Sequence, residues 1–187
     1  YYDGEELVTS KKNPALRDQI DTSPEEFEEI YKDFGLTAEG DGYYNRYKEK
    51  ANNSEGSLSY AVDLNDEYRL IALDAMMYSP DTTDSGEAEQ ETGGKMSDEF
   101  LAWAVAETEK AVKDGKTVIG MCHNNIVPHC EIQVDILDQF ILFNWQEVVD
   151  ALAKAGMNYV VSGHSHMQDA ASYVTDSGYE VHEITTS

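Results

Sequence analysis

The chain has 187 residues, of which 41% are apolar, and this is enough for one domain of ordinary size with a buried core. Its 37 acidic and 13 basic residues give a formal net charge of −24. A field of that sign repels polyanions, so we expect no nucleic-acid partner. No apolar run reaches the roughly 18 residues of a membrane span, so we expect no membrane contact from this segment.

The sequence opens at Tyr1 without a methionine, which is typical of a processed protein or of a piece of a longer one. A targeting signal could have been removed in either case. The two cysteines, Cys122 and Cys130, match neither a disulfide framework nor a zinc ribbon and do not identify a compartment. We favour an extracytoplasmic or cell-surface location over a cytoplasmic one.

The first predicted element is a helix that opens at Ser23-Pro24-Glu25-Glu26 and ends at Gly35. Asn13-Pro14 precedes it as a turn or helix start. Residues 57–64 and 68–74 are predicted strands that pair as a hairpin. Residues 75–96 combine Pro, Gly and acids without periodicity, which predicts a long functional or mobile loop.

The second half of the chain alternates strands and helices, and this order predicts an α/β fold. Its predicted elements are a helix from Ser97 to Asp114 stopped by Gly115, an apolar strand at 117–122, a helix opened by Asn144 with Glu147 and stopped by Gly156, a buried strand at 159–162, and a hairpin of 171–175 with 179–185. The two apolar strands are separated by one helix, so we expect them to be neighbours in one sheet.

Three histidines follow these two strands. His123 comes directly after strand 117–122, and Gly163-His164-Ser165-His166 ends strand 159–162. Continued strand geometry would place His164 and His166 on one face, roughly 6.5–7 Å apart along the chain, with Gly163 allowing close approach. Ligands of open α/β sheets bind at the carboxyl ends of strands, and neutral imidazoles bind metal ions. We therefore predict a metal site, in preference to three unrelated structural histidines.

Other polar residues are weaker candidates. Asn124 and His129 lie in the segment that follows His123, where they could contact substrate or orient it, although a loop histidine without a role is the more common case. Asp74 ends a strand and could support a histidine ligand, or it could be an ordinary strand-terminal acid. His182, within a predicted strand, is interpreted as structural.

The two histidine motifs resemble those of a known family. Val118-Ile119-Gly120-Met121-Cys122-His123-Asn124-Asn125 and Val161-Ser162-Gly163-His164-Ser165-His166 resemble the last two metal motifs of the calcineurin-like metallophosphoesterases. The resemblance covers residues 57–187 well and residues 13–35 loosely. It implies an α/β fold, a partial layered β-sandwich flanked by helices and truncated at the N-terminus.

The resemblance also implies a chemistry. Members of this family hold two divalent metal ions, such as Mn, Fe or Zn, bridged by an aspartate and by the attacking water. By this resemblance His123 and His164 would bind one metal and His166 the other, and the substrate would be a small-molecule phosphoester. The full-length parent would be a metal-dependent phosphoester hydrolase.

The family's upstream motifs, Asp-x-His, Gly-Asp-x-x-Asp and Asn-His-Asp, do not occur in this sequence. We therefore expect residues 1–187 to be a single, incomplete domain, inactive alone, that self-associates through its truncated face. Two alternatives stay open. One is a non-catalytic binding or accessory domain of the same fold, and the other is a different metal hydrolase that completes its site with Asp74 or Asp169.

Overall fold

The computed structural model describes residues 2–3, 6–7, 24–31, 44–46, 58–76, 81–82, 88–89 and 93–186. The chain forms two compact units, residues 1–37 and residues 38–187. In the first unit, β1 (Tyr2–Asp3) pairs antiparallel with β2 (Glu6–Leu7), and α1 spans Pro24–Tyr31. The predicted helix is therefore confirmed from Pro24, whereas its cap Ser23, its stop Gly35 and the Asn13-Pro14 turn lie outside the described residues.

The elements of the second unit are β3 (Tyr44–Arg46), β4 (Tyr60–Asp63), β5 (Tyr68–Leu73), β6 (Asp81–Thr82), β7 (Ala88–Glu89), α2 (Asp98–Lys113), β8 (Thr117–Cys122), α3 (Gln133–Ile136), a 3-10 turn (Asp138–Phe140), α4 (Trp145–Ala155), β9 (Tyr159–Ser162), β10 (Asp169–Val174) and β11 (Glu180–Thr185). Seven of these strands form one sheet with the order β10-β11-β9-β8-β5-β4-β3. Within the predicted long loop 75–96, β6 and β7 form a small antiparallel pair, and the rest of that prediction falls largely outside the described residues.

The sheet is mixed. Strands β5, β8, β9 and β11 are parallel neighbours, and the antiparallel strands β3, β4 and β10 extend it at its two ends. The predicted α/β class, both hairpins and the pairing of β8 with β9 are confirmed. No helix of the described residues is long and apolar enough to cross a bilayer.

Helices α2 and α4 supply the helical side of the core. Ser97 caps α2 as predicted, because its hydroxyl accepts the backbone N–H of Phe100 at 3.2 Å. The inward-facing Val118 and Val160 of β8 and β9 belong to this core, together with Ala104 of α2 and Leu152 of α4. Helical periodicity predicts that the inward face of α2 consists of Leu101, Ala104, Val105, Thr108, Ala111 and Val112. This prediction was wrong for Val112, near the end of the helix, which is 46% exposed.

The start of α4 differs from the prediction. Asn144 precedes the helix but makes no capping hydrogen bond with its side chain. Its amide instead forms two bonds with the backbone of Met96, accepting from N–H at 3.2 Å and donating to the carbonyl at 2.8 Å. A long-range contact thus replaces the local capping box, and it ties the entry of α4 to the residue that precedes the cap of α2.

The other face of the sheet is exposed. Met121, Val161 and Ile184 align across β8, β9 and β11, and they are 41%, 38% and 55% exposed. The prediction that strand 159–162 is buried was therefore wrong for one face. A purely apolar run does not reveal which side of a strand a helix covers.

Candidate functional site

The carboxyl ends of the parallel strands form one edge of the sheet. Leu73 of β5 pairs with Cys122 of β8, so Asp74 and His123 leave the sheet side by side. The backbone N–H of Gly163 donates to the carbonyl of His123 at 3.0 Å, which joins the chain after β9 to the chain after β8. The parallel pairing of these strands thus delivers the predicted residues to one edge.

His123 and His164 are in direct contact at this edge. The Nε2 atom of His123 lies 2.9 Å from Nδ1 of His164, a distance at which one nitrogen donates and the other accepts. The two ring centroids are 4.6 Å apart, and the ring of Phe140 lies 5.1 Å from His164 on centroids. His164 is therefore held between a second imidazole and an aromatic ring.

The surroundings favour the neutral form of both rings. Burial lowers the pKa of His123, and the neighbouring His164 and His166 lower it further. Burial also lowers the pKa of His164; the backbone carbonyl of Gln139 partly opposes this effect, and His166 adds to it. Two neutral imidazoles each carry one nitrogen lone pair, which is the form of histidine that binds metal ions.

The backbone of His164 and His166 is unusual. Their φ angles are +60° and +51°, in the left-handed region that non-glycine residues enter at a cost of roughly 1–2 kcal/mol each. The predicted continuation of strand geometry through these two residues was therefore wrong, because β9 ends at Ser162. Backbone strain of this kind clusters at functional sites. The exposed His166 still lies near enough to affect the pKa of both other rings.

The prediction that Gly163 allows close approach is wrong for the backbone, because no backbone atom lies close to the position that a Cβ would take. A Cβ at this position would lie 3.7 Å from the carbonyl oxygen of Thr186 and 3.8 Å from Nδ1 of His123, both ordinary contact distances. A small side chain would therefore fit here. The positive φ angles of this segment belong to His164 and His166 instead.

The histidine pair fits a metal ion in part. With metal–nitrogen bonds of about 2.0–2.1 Å, two adjacent ligand nitrogens lie roughly 2.9–3.4 Å apart, and the observed pair is at 2.9 Å. The other ring nitrogen of His164, Nε2, is buried without a hydrogen-bond partner in the structure. Within the described residues no group of three or more His, Cys, Asp or Glu side chains is arranged to hold a metal ion. The spacing of the two nitrogens therefore suits a shared ion, but the described residues do not provide a complete set of ligands around it.

Asn124 directly follows His123 in the chain. Its side chain is buried, and its Nδ2 donates to the carbonyl of Gln139 at 3.2 Å, while its Oδ1 is a buried acceptor without a partner in the structure. The Gln139 carbonyl is also the group that affects the pKa of His164. Asn124 therefore adjoins the site from the protein interior, which fits a supporting role better than direct contact with substrate.

His129 is a buried residue, whereas the sequence left open either contact with substrate or a loop histidine without a role. Its side chain has no solvent exposure, its Nδ1 lies 2.9 Å from Asp169 Oδ2, and its Nε2 lies 3.7 Å from Glu183 Oε2. Burial lowers the pKa of His129, but the neighbouring carboxylates of Glu183 and Asp169 outweigh this effect and raise the pKa overall. His129 is therefore a buried link between two carboxylates.

Asp74 and His182 are the two remaining residues for which the sequence suggested a role. Asp74 is half-buried at the predicted edge, and its backbone N–H donates to the hydroxyl of Ser59 at 2.7 Å. His182 pairs with the hydroxyl of Ser172 across β10 and β11 at 2.8 Å, in keeping with its structural interpretation.

Sequence reasoning missed Glu183. It is fully buried within β11, where it accepts hydrogen bonds from the segment that follows His123. A signal for it was present: among the alternating residues of β11, Glu183 occupies an inward position between Val181 and Thr185. An acid on the buried face of a strand needs a set of donors to compensate it.

Comparison with known proteins gives limited similarity. No protein-family profile matches the chain, and no curated protein matches it. A dimetal phosphatase from Danio rerio has a similar structure, with a TM-score of 0.47 and 17% sequence identity. The similar region covers 68% of this chain and 48% of the zebrafish chain, so the present chain spans about half the length of that phosphatase.

Proposed function

We propose that the chain carries the histidine ligands of a metal-dependent phosphoester hydrolase. The observation that supports this most directly is the contact between His123 Nε2 and His164 Nδ1 at 2.9 Å, at the carboxyl ends of adjacent parallel strands. The left-handed backbone of His164 and His166 is a second, independent sign of function at this point. The resemblance of both histidine motifs to metallophosphoesterases then favours phosphoester hydrolysis over other metal chemistry.

The chain's own residues would hold the metal and keep it in place. His123 and His164 offer neutral nitrogen donors to one ion, and His166 is assigned to a second ion of Mn, Fe, Zn or similar type. A bound divalent ion polarises a phosphoryl oxygen and lowers the pKa of its water. Phe140 lies against the ring of His164, and the buried Asn124 donates to the carbonyl of Gln139, the residue before Phe140. Asp74 leaves the sheet beside His123 at the same edge.

A second candidate function is a non-catalytic binding or accessory domain of the same fold. One observation favours it: the described residues bring two imidazoles into contact without a carboxylate that completes a three-ligand group. Two-metal catalysis needs ions held about 3.5–4 Å apart, and bridging carboxylates usually provide this. The two functions therefore differ in whether metal binding leads to turnover.

An activity assay separates them. A chromogenic phosphate ester is offered to residues 1–187 and, if the gene encodes upstream aspartate motifs, to the parent protein that contains them, each with Mn²⁺, Zn²⁺ or no added metal. We expect residues 1–187 to stay near background and the parent to show chelator-sensitive turnover. In the parent, His164→Ala should reduce kcat/KM by at least about a hundredfold, because metal ligands act as a unit.

The proposal fails if the parent binds metal but shows no turnover with monoesters or diesters, which is the result expected of an accessory domain. Chelator-sensitive turnover by residues 1–187 alone would instead indicate a hydrolase that completes its site with local acids such as Asp74 or Asp169.

A further inference from the structure

A buried carboxylate organises the segment behind the histidine pair. The Glu183 side chain is fully buried, and a carboxylate in that position is costly unless N–H donors surround it. It accepts from Ile126 N–H at 3.0 Å, from Val127 N–H at 2.7 Å, and from the Asn125 side-chain amide at 3.3 Å. All three donors belong to the segment between His123 and His129, so one acid fixes the path of that segment.

Asn125 extends this network to the chain that leads into His164. The same Nδ2 group that contacts Glu183 donates to the hydroxyl of Ser162 at 2.8 Å, and Asn125 Oδ1 accepts from Gln133 at 2.8 Å. Asn125 is two residues after His123, and Ser162 is two residues before His164. Hydrogen bonds from Glu183 thus reach the immediate flanks of both histidines.

We propose that Glu183 is a positioning residue for the histidine pair. By holding Asn125 and the two backbone amides, it sets the point at which His123 leaves β8 relative to the turn that carries His164. The metal-binding consequence rests on the proposed function above. The positioning itself is a property of the metal-free chain and can be tested separately.

The chemistry of the site explains why a carboxylate is required. Glutamine at this position would keep the shape but replace one acceptor oxygen with an NH₂ group. That group would face N–H donors and leave them unsatisfied. Aspartate would keep the charge, but it is one methylene shorter and cannot reach Ile126, Val127 and Asn125 together. Glu183→Gln and Glu183→Asp therefore change the network in different ways with little change in volume.

The first test is metal-free NMR spectroscopy of residues 1–187. The imidazole rings of His123 and His164, with centroids 4.6 Å apart, should give ring-to-ring nuclear Overhauser contacts in the native chain. We expect these contacts to persist in Glu180→Gln, which removes an exposed acid from the same strand, and to be lost in Glu183→Gln and Glu183→Asp. Backbone amide spectra of all variants report whether the fold is retained.

The second test measures Zn²⁺ affinity by calorimetry on the same four proteins. We expect both Glu183 variants to bind at least about tenfold more weakly than the native chain, as is typical when a residue that orients a ligand is lost, and Glu180→Gln to be unchanged. Failure of the native chain to bind Zn²⁺, with the ring contacts still dependent on Glu183, would reject the proposed function and keep the positioning role.

The positioning role is overturned if folded Glu183→Gln and Glu183→Asp both keep the ring contacts. It is also overturned if both variants unfold where Glu180→Gln stays folded, because Glu183 would then serve the stability of the fold rather than the geometry of the pair.

Discussion

At the scale of single residues, His164 and His166 combine a side chain that can bind a metal ion with a strained, left-handed backbone. The positions of the site histidines after β8 and β9 were predictable, because strand ends and residue types are visible in the sequence. The left-handed φ angles of His164 and His166 were not predictable, since the sequence around a histidine in a turn does not indicate its φ angle. The burial of His129 was not predictable either, because its partners Asp169 and Glu183 are distant in the sequence.

The strain at His166 can be separated from its ring. His166→Gly removes both the ring and the Cβ that makes φ of +51° unfavourable, whereas His166→Ala removes only the ring. We expect the free energy of unfolding to rise by up to about 1 kcal/mol in the glycine variant relative to the alanine variant. Denaturant unfolding of the two variants measures this difference. If the glycine variant is no more stable than the alanine variant, the left-handed backbone at His166 does not destabilise the fold.

The contact between the buried His129 and the exposed Asp169 predicts a pH window of stability. Glu183 and Asp169 raise the pKa of His129 in the folded chain. The stability that His129 contributes is therefore present below its unfolded-state pKa of about 6.5, and it is lost as pH rises through the folded-state pKa. His129 lowers the pKa of Asp169 in the folded chain. The stability that Asp169 contributes is therefore present above its unfolded-state pKa of about 3.9, and it is lost as pH falls through the folded-state pKa. The stability gap between the native chain and Asp169→Asn should therefore be widest between about pH 4 and 6.5. Chemical unfolding at several pH values measures the gap, and a gap independent of pH would contradict the pairing.

At the scale of elements, helices and strands followed from periodicity and from their end signals. Ser97 and Gly156 behaved as predicted because caps and stops act over a few residues. Asn144 did not, because its side-chain amide forms hydrogen bonds with the backbone of Met96, which lies 48 positions away in the sequence. Local motifs thus predict an element well until a long-range partner competes for the same side chain.

Gly156 ends α4 and Gly115 ends α2, and the two glycines allow a matched pair of alanine substitutions. Gly156 has φ of +114°, and a Cβ there would lie 2.6 Å from Val112 of α2, whereas at Gly115, with φ of +76°, a Cβ would meet nothing within 4 Å. Both alanine variants should lose roughly 1–2 kcal/mol from the left-handed backbone, and Gly156→Ala should lose more because α2 and α4 must also separate. Thermal or denaturant unfolding tests the order, and equal losses would mean that Val112 moves aside freely.

At the scale of the whole molecule, the sheet presents an apolar face in a very acidic chain. The outward positions of β8, β9 and β11 contain one acid, at the start of β11: they are Thr117, Ile119, Met121, Tyr159, Val161, Glu180, His182 and Ile184. Two sheets commonly pack through faces of this kind. The sequence predicted apolar strands here, but which face stays open follows only from the placement of the helices.

We expect a second copy of the chain to cover this face in solution. The net charge of −24 opposes association, so salt should strengthen it by screening the repulsion between copies. Sedimentation of the native chain should show concentration-dependent self-association that increases with ionic strength. Ile184→Lys should abolish it, and Ile136→Lys, which changes an exposed residue of α3, should not. A monomer at every salt concentration would contradict self-association through this face.

The central claim is that His123 and His164 together bind a divalent metal ion. The most direct measurement is calorimetric titration of Zn²⁺ into residues 1–187, with His123→Ala, His164→Ala and the structural control His182→Ala. The account predicts binding by the native chain, an affinity at least about tenfold weaker in both site variants, and no change in the control. Equal affinity in all four proteins, or no binding by the native chain, would contradict it.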